Sequence, residues 1–449
     1  MNLVLKKIRN LTRDTKFEGR IYVVGGFVRD LILKRNSYDI DILVNLPEGG
    51  IKLANFLYEK KMVTRPVLFP KYGTAQVQCF GYQLEFVMCR QENYRKGSRK
   101  PKVASASLQA DIRRRDFTIN TLLLDIKTGQ ILDLTGQAKA DLEAKKIRAA
   151  NQPAEIFRED PLRLLRAIRF AVQLNFAIEE NTYDAICQQA KQLKNISWER
   201  KRDEISKIVL SAQSARGLQM LYATNLLKFV ISELLPTVNC AQNIFHYQDV
   251  WQHTLQVLKN TKPIAQLRWA ALLHDIGKPV VKSKENGEIH FYNHEEKSAE
   301  IAANILRRLK FSKKFIKEVV FLIKNHLRTQ NYGDESEVVS DKKIRKLVHE
   351  SGELLDNLLQ LIHADNLAKK EPKPNQIPNL QKRIEKLQFP VENKPPVDGQ
   401  DIMTAFELKS GKKVGELLGL AKKIWLEHPN WQKAQILAEI KKRCDSSGT

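Results

Sequence analysis

The sequence predicts an α/β unit over roughly its first 150 residues and an all-α body after it, and three observations carry that expectation. Five short apolar runs, "IYVVGG", "YDIDILV", "AQVQCF", "YQLEFVMC" and "TINTLLLDI", alternate with helix-like stretches and glycines, the pattern of a small mixed sheet. From "EIFREDPLRLLRAIRFAVQL" onward, apolar residues recur every three or four positions and strand signals almost vanish. At 449 residues the chain is also long enough for about three separate cores.

Taken in order, the opening "MNLVLKKIRNLTRD" mixes basic and apolar residues as an amphipathic helix does, and not as a signal peptide does. The mixed sheet and its helices are expected over 1–150, and helices alone over 151–240. A polar connector in "CAQNIFHYQDV" then opens a second helical block, 241–380, rich in His and Asp. Prolines in "KKEPKPNQIPNL" and "ENKPPVDGQ" mark loops around the last helical segment, 381–449.

Seventy-five Lys and Arg against 51 Asp and Glu leave a net charge of +24, which favours a polyanionic partner, nucleic acid first. The five cysteines, Cys79, Cys89, Cys187, Cys240 and Cys444, lie far apart without a C-x-x-C pair. That pattern points to a reducing compartment and argues against a disulfide framework or a zinc knuckle. No stretch is apolar for long enough to cross a bilayer. A cytoplasmic protein with no membrane contact is expected, and nothing implies a stable protein partner.

The stretch "GGFVRDLILKRNSYDIDILV" (25–44) carries the first chemistry. Strand alternation puts Asp39 and Asp41 on one face and Ile40 and Ile42 on the other, turned inward. Two carboxylates side by side are costly unless a cation lies between them, and Mg²⁺ suits carboxylate and phosphate oxygens together. Two such ions, one at an attacking hydroxyl and one at a leaving phosphate, define a phosphoryl- or nucleotidyl-transfer site. Gly25 and Gly26 would let the backbone approach a phosphate, with the next helix aiming its N-terminus there and Arg29 adding a fork-shaped donor.

Each piece alone is weak, because D-x-D is common and Gly-Gly before a helix is usually a turn. Together, G-G-x-V-R-D followed within a dozen residues by D-x-D resembles the signature of the polymerase-β-like nucleotidyltransferases. Within them it is most similar to the class II branch of CCA-adding enzymes and bacterial poly(A) polymerases. The resemblance implies Mg²⁺ at Asp39 and Asp41 and places Glu85, in "YQLEFVMC", at the third acidic position. It extends to "RRRDFTIN" (113–120), where it implies that Arg115 meets the triphosphate, Asp116 accepts the ribose 2′-hydroxyl and Asn120 fixes the local backbone. Asp133 closes a strand in the same family course.

"REDPLRLLRAIRF" (158–170) matches the family's E-D-x-x-R-x-x-R. Asp160 and Arg163 are three apart and so expected on one helical face, with Arg166 a turn further. An acceptor beside a donor fits the edges of cytosine and adenine, whose amino group lies next to a ring nitrogen acceptor. Guanine and uracil reverse that order and would leave buried groups unpaired, a strong ground for rejection. Glu159 is expected to prop the turn. The basic stretch before "RRDF", "RQENYRKGSRKPKVASASLQADI", is not shortened, which weighs against an enzyme that adds only CC.

"HTLQVLKN" and "LRWAALLHDIGKP" resemble the HD-type metal phosphohydrolases. His253, His274, Asp275 and Asp365 match their H…HD…D set, and His294 and His326 are placed like the extra ligands of binuclear members. Imidazoles mixed with carboxylates suit a transition metal such as Mn, Ni or Fe. In the middle of a helix, adjacent His274 and Asp275 would point about 100° apart, an awkward demand on one site.

The leading expectation is a template-independent enzyme that builds or repairs the 3′ CCA of tRNA with CTP and ATP. An A-adding enzyme or poly(A) polymerase is a sibling reading. An HD-type phosphatase or phosphodiesterase acting on RNA ends belongs to another class. By resemblance, 1–150 is catalytic, 151–240 selects the nucleotide and binds RNA, 241–380 is the HD domain, and 381–449 binds tRNA.

Overall fold

The computed structural model describes residues 3–93, 102–243, 248–329, 339–387 and 395–446. The chain divides into two compact units, Met1–Leu235 and Pro236–Thr449. The expected break near 240 lies close to this division, and the expected break at 150 falls inside the first unit.

Unit one holds nine strands of interest here: β1 (Ile21–Val24), β2 (Asp39–Val44), β3 (Val67–Phe69), β4 (Thr74–Cys79), β5 (Tyr82–Met88), β6 (Arg90–Asn93), β7 (Lys102–Ser105), β8 (Leu123–Asp125) and β9 (Ile131–Leu132). Seven of them form one sheet in the order β3-β4-β5-β2-β1-β8-β9, and β6 and β7 pair as a separate hairpin. The one parallel neighbour pair, β2 with β5, sits at the centre. Ile40, Ile42 and Val44, on one face of β2, are fully buried, which fixes the strand's register: a slip of one residue would exchange them with the face that carries Asp39 and Asp41. The run "TINTLLLDI" is a strand only in its second half, because Thr118–Asn120 forms a 3₁₀ turn.

The helices of this unit are α1 (Leu3–Leu11), α2 (Gly26–Ile32), α3 (Gly49–Glu59), α4 (Leu108–Arg113), α5 (Ala138–Glu143), α6 (Pro153–Glu159), α7 (Leu162–Leu174), α8 (Glu180–Gln189), α9 (Trp198–Val209) and α10 (Ser214–Ala223). The expected amphipathic helix at the start is α1, which buries Val4, Leu5 and Ile8. The apolar positions of α7, with Leu164, Leu165, Ala167, Ile168 and Ala171 buried, follow the helical period, and α7 packs against α9 and α10.

Unit two is helical apart from a short hairpin at Ser283–Glu285 and Glu288–His290. Its helices are α11 (Val250–Asn260), α12 (Ala265–Leu273), α13 (Lys278–Val281), α14 (His294–Arg308), α15 (Lys313–Asn325), α16 (Asp341–Ser351), α17 (Leu355–Leu367), α18 (Gln376–Lys386), α19 (Gly399–Ala405), α20 (Lys412–Glu427) and α21 (Lys433–Ser446). Trp251 and Trp269 are buried between the first of them, and the last three helices close a smaller core around Ile424, Trp425 and Ile436. Among the described residues no helix is long and apolar enough to cross a membrane. Residues 94–101 of the basic stretch and 244–247 of the connector "CAQNIFHYQDV" lie outside the described residues.

Candidate active site

In unit one the site begins with strand register. Asp41 of β2 lies opposite Glu85 of β5, and Asp39 lies two residues back on the same face of β2. Three carboxylates thus share one face, with Asp39 exposed and Asp41 and Glu85 half-buried. Burial pushes the Asp41 carboxyl up to about 6, and Glu85 and Asp39 add to the rise against the opposing pull of Arg115. A group that resists ionising beside two other carboxylates is suited to a divalent cation, whose charge removes the cost.

Gly25 makes this approach possible. Its φ of +80° is a conformation that favours glycine, and a Cβ there would meet Asp41 Oδ2 at 3.3 Å and Arg115 Nη1 at 3.7 Å. Asp41, expected to hold a metal, and Arg115, expected to meet the triphosphate, therefore converge on one glycine.

What holds Arg115 there is Asp111, a residue the sequence reading passed over. Its carboxylate is fully buried and accepts from Arg115 Nη2 at 3.1 Å, from Arg114 Nη2 at 2.6 Å and from the Arg90 backbone N–H at 3.2 Å. Burial works against its charge, and the guanidiniums of Arg115 and Arg114 outweigh it and hold the carboxyl below its ordinary range. The available signal was an acidic residue three and four positions before Arg114 and Arg115, the spacing of one helical turn.

Asp116, Asn120, Arg29 and Arg166 form one connected network. Asp116 Oδ1 accepts from the Phe117 N–H at 2.8 Å and from Asn120 Nδ2 at 3.0 Å, and Oδ2 accepts from Arg166 Nε at 2.8 Å and Nη2 at 2.5 Å. Burial would raise the Asp116 carboxyl, but Arg166 and Asn120 hold it down at about 2. Four donors thus orient this carboxylate, the group on which the resemblance puts a ribose hydroxyl. Arg29 belongs to the same network. It is buried, with Nη1 on Asn120 Oδ1 at 2.9 Å and Nε and Nη2 on Asp30, so its fork is engaged inside the protein. The guanidiniums of Arg29, Arg166 and Arg169 lie 5.3, 5.3 and 4.1 Å from the Phe170 ring centre, an arrangement in which the ring face attracts cations.

Asp160 is not on the helical face expected for it. Its backbone is extended, between α6 and the start of α7, because Pro161 cannot follow a residue in helical conformation without a clash. Its Oδ1 accepts from the Leu162 N–H at 3.1 Å, and Oδ2 pairs with Arg200 of α9 at 2.9 Å. Arg163, in the first turn of α7, donates to the Ile156 carbonyl at 3.1 Å, to Glu159 Oε2 at 3.0 Å and to the Arg114 carbonyl at 2.7 Å. Glu159 thus steadies Arg163.

Unit two brings together all six of its candidate ligands. His253 Nε2 lies 2.9 Å from Asp365 Oδ1, and His274 Nε2 lies 3.2 Å from Asp275 Oδ2. Asp275 Oδ1 faces His294 Nε2 at 3.3 Å and His326 Nε2 at 3.8 Å. His253, His274, Asp275, His326 and Asp365 are almost inaccessible to solvent, and two overlapping groups, His253/His274/Asp365 and His274/Asp275/His326, have the compactness of a metal site. Three histidines are oriented alike. The Nδ1 atoms of His274, His294 and His326 lie 2.9, 2.8 and 2.6 Å from the carbonyls of Ala271, Phe291 and Ile323, three residues back in each case. Donation there leaves each Nε2 as a lone-pair ligand directed at the centre, the orientation that metal-binding histidines need.

The residues fit a cation by another measure. His274 Nε2, His294 Nε2 and Asp275 Oδ1 are buried without a well-formed hydrogen bond, and such groups call for a partner. α12 ends at Leu273, and in the turn that follows His274 Nε2 and Asp275 Oδ2 come within 3.2 Å of each other, so adjacency does not keep the pair apart. Burial lowers the His274 imidazole, but Asp275 and Asp365 outweigh it and raise it to about 10, so these carboxylates draw positive charge to His274 Nε2, a proton or a metal ion in its place, while burial and the neighbouring His274 push His326 down to about 3. Lys278 Nζ, 2.6 Å from Asp275 Oδ2, and Lys369 Nζ, 2.9 Å from Asp365 Oδ2, neutralise the two carboxylates. The cluster opens into a cavity of about 920 Å³ that Lys370 and Lys373 also line.

Comparison with known proteins covers both regions of the chain. The family model of the poly A polymerase head domain matches residues 21–148, that of a probable RNA and SrmB-binding site of polymerase A matches 175–237, and that of the HD domain matches 250–445. The A-adding tRNA nucleotidyltransferase of Deinococcus radiodurans is 34% identical over 331 residues, 70% of this chain and 74% of the relative. The CCA-adding enzyme of Streptococcus mutans is 30% identical over 405 residues, 88% of this chain and 86% of the relative. The CC-adding tRNA nucleotidyltransferase of Thermus thermophilus is 29% identical, with 88% and 87% covered. In fold, the chain is similar to the CCA-adding enzyme of Bacillus stearothermophilus solved in complex with CTP, with a TM-score of 0.72, 22% identity and 99% of both chains covered. The polymerase-like head, the helical body that follows it and the extent of these matches together place the chain in the tRNA nucleotidyltransferase family, as a nucleotidyltransferase that carries an HD domain.

Proposed function

We propose that this nucleotidyltransferase builds or repairs the whole CCA end of tRNA from CTP and ATP without a nucleic-acid template. One observation carries the reading. Asp160 and Arg163, an acceptor beside a donor, are tied to the carboxylate face through Arg163 and the Arg114 carbonyl, one residue from Arg115. A base read by that pair presents its triphosphate to Arg115 and its α-phosphate to Asp39 and Asp41. The 3′-hydroxyl of the RNA then loses its proton to solvent as its oxygen joins the α-phosphorus, and the bond from the α-phosphorus to pyrophosphate breaks.

Magnesium held by Asp39 and Asp41, with Glu85 as a third carboxylate, supplies the positive charge that such a transfer needs. Gly25 clears the approach, Arg115 binds the triphosphate under the control of Asp111, and the Asp116–Asn120–Arg29–Arg166 network keeps the reading helix fixed to the sheet. In domain terms, 1–150 catalyses, 151–240 selects the base and grips RNA, 241–380 forms the HD domain, and 381–449 contacts tRNA. The net charge of +24 favours phosphate backbones, and backbone contacts are common to every tRNA.

The relatives named above add CCA, CC or A, so the programme of addition is the point to test. Purified protein with Mg²⁺ is given tRNA lacking the last three, two or one nucleotides, with CTP and ATP singly and together, and the products are sequenced. Completion of CCA from all three substrates is expected. Addition of A alone, to tRNA ending in CC, would make this an A-adding enzyme, and runs of A on unstructured RNA would make it a poly(A) polymerase.

A second activity is favoured by the buried histidines whose Nε2 atoms converge in unit two. We assign to it a metal-dependent phosphohydrolase acting on phosphate or cyclic phosphate at RNA ends, with Mn, Ni or Fe held by His253, His274, Asp275 and Asp365 and further supported by His294 and His326. Such a metal supplies an activated water. Lys278, Lys369 and their neighbours offer charge for the phosphate oxygens. Hydrolysis of a nucleoside 2′,3′-cyclic phosphate with each metal added separately tests it.

A further inference from the structure

An aromatic pair stands beside the buried histidine cluster of unit two and takes no part in it. The second strand of the hairpin ends at His290, and α14 begins at His294. Between them Phe291 is buried, whereas Tyr292 is 59% exposed. The Tyr292 ring lies parallel to that of His290, with 5.2 Å between centres and 4° between planes. Both residues line the cavity of about 920 Å³ into which the cluster opens, together with Lys278, Lys369, Lys370 and Lys373. The segment is anchored to the centre. The Phe291 carbonyl accepts from the His294 backbone N–H at 3.3 Å and lies 2.8 Å from His294 Nδ1, so the residue before Tyr292 also orients a candidate ligand.

An aromatic ring backed on one face and largely open to solvent suits a nucleobase, because every base has a π-face and stacks with little regard to sequence. The cavity has far more room than one phosphate group fills and is of the size that encloses a whole small molecule. Lysines on its wall attract phosphate oxygens. We propose that Tyr292, backed by His290, is the platform on which the base of a 3′-terminal nucleotide stacks, so that this site takes a nucleotide in preference to a bare phosphate ester. The proposal rests on the phosphohydrolase reading of the cluster. In that hydrolysis a water oxygen joins the phosphorus of a 2′,3′-cyclic phosphate, one of the two ribose P–O bonds breaks, and a proton of the water passes to the freed ribose oxygen. Tyr292 acts on the base alone and is a specificity-determining residue, outside the reacting atoms.

The test compares Tyr292→Leu and Tyr292→Phe with the unaltered full-length protein, supplied with Mn²⁺, Ni²⁺ or Fe²⁺ in turn. The substrates are adenosine 2′,3′-cyclic phosphate and glycerol 1,2-cyclic phosphate, which has the same reacting group and no base. In Tyr292→Leu the KM for the adenosine substrate should rise about tenfold, the equivalent of about 1.4 kcal/mol, with kcat within about threefold. Hydrolysis of the glycerol substrate should be the same in all three proteins, and Tyr292→Phe, which keeps the ring, should match the unaltered protein. Calorimetry gives a readout independent of turnover: adenosine 3′-phosphate should bind about tenfold more weakly to Tyr292→Leu and normally to Tyr292→Phe. Thermal melting checks folding, which a change at so exposed a residue should leave intact. An unchanged KM in Tyr292→Leu, or an equal rise for both substrates, overturns the platform. If no protein hydrolyses either substrate, the phosphohydrolase reading falls and calorimetry decides: weaker binding in Tyr292→Leu alone upholds the platform, and equal binding in all three overturns it.

Discussion

The two acidic clusters of this chain meet the same electrostatic problem in opposite ways. Asp39, Asp41 and Glu85 are all carboxylates, lie on an open sheet face and have Arg115 as their nearest counter-charge. Asp275 and Asp365 are buried, interleaved with imidazoles and neutralised by Lys278 and Lys369. The open cluster lacks enough ligands of its own and must share its cations with a substrate's phosphates, as suits Mg²⁺. The closed cluster brings six side chains and orients three of them from the backbone, as suits a resident transition metal. On the proposed reading, one site is completed by its substrate, and the other is preassembled by the fold.

The largest effect that could break this comparison is expected from Asp41→Ala or Asp39→Ala. Losing several kcal/mol of charge stabilisation should slow nucleotide addition by about a thousandfold or more, with tRNA binding near normal in a gel-shift measurement. Extension at a rate near that of the unaltered protein would remove these residues from the metal site. Next, the paired change His274→Ala and Asp275→Ala should abolish metal-dependent phosphohydrolysis by more than about a hundredfold and strip the bound metal seen by elemental analysis. CCA synthesis should remain within about threefold of normal. Loss of both activities in a folded double variant would mean that the closed cluster organises the body that holds RNA.

A smaller effect is expected at Asp111. Asp111→Asn leaves Arg114 and Arg115 without their shared counter-charge, and the KM for both CTP and ATP should rise about tenfold with kcat changed less. A fall in kcat at constant KM would reassign it to the chemistry itself.

The smallest effect sharpens the contrast through pH. The Asp41 carboxyl is raised from its ordinary value near 3.8 to about 6, so between those values the folded protein binds more protons than the unfolded chain. Its contribution to stability therefore declines as pH rises through that window and is fully adverse above it. Mg²⁺ binds the ionised form and should offset the cost, so its stabilising shift in Tm, expected to be a few degrees, should be larger at pH 7.5 than at pH 5. Asp41→Asn should remove that pH dependence, and an equal shift at both pH values would contradict the assignment.

Much of this was legible in the sequence because period and spacing are local. Strand alternation put Asp39 and Asp41 on one face, and H-D within a helical block pointed to a cluster that folding assembles from residues as far apart as His253 and Asp365. What was not legible depends on contacts between distant segments. Nothing around Arg29 says that its guanidinium will be engaged by Asn120, 91 residues away, and nothing around Asp116 says that Arg166 will occupy one of its oxygens. Asp160 was misplaced for a local reason: the proline after it keeps it out of the helix, and a count of three residues conceals that.

The clasp between Asp116 and Arg166 has a consequence for dissecting the chain. The secondary structure changes character near residue 150, an obvious place to cut if the catalytic head were wanted alone. A fragment ending there would keep Asp116 and lose Arg166, along with Arg163, whose guanidinium caps the Arg114 carbonyl. It would carry an unneutralised carboxylate in its interior and would also bare the faces of Phe117 that Phe170 covers. The smallest self-sufficient piece of this enzyme therefore extends through α7 and the helices packed on it. Recombination with a relative, or grafting of a new base preference, would have to exchange the sheet and that helical neighbourhood as a single block.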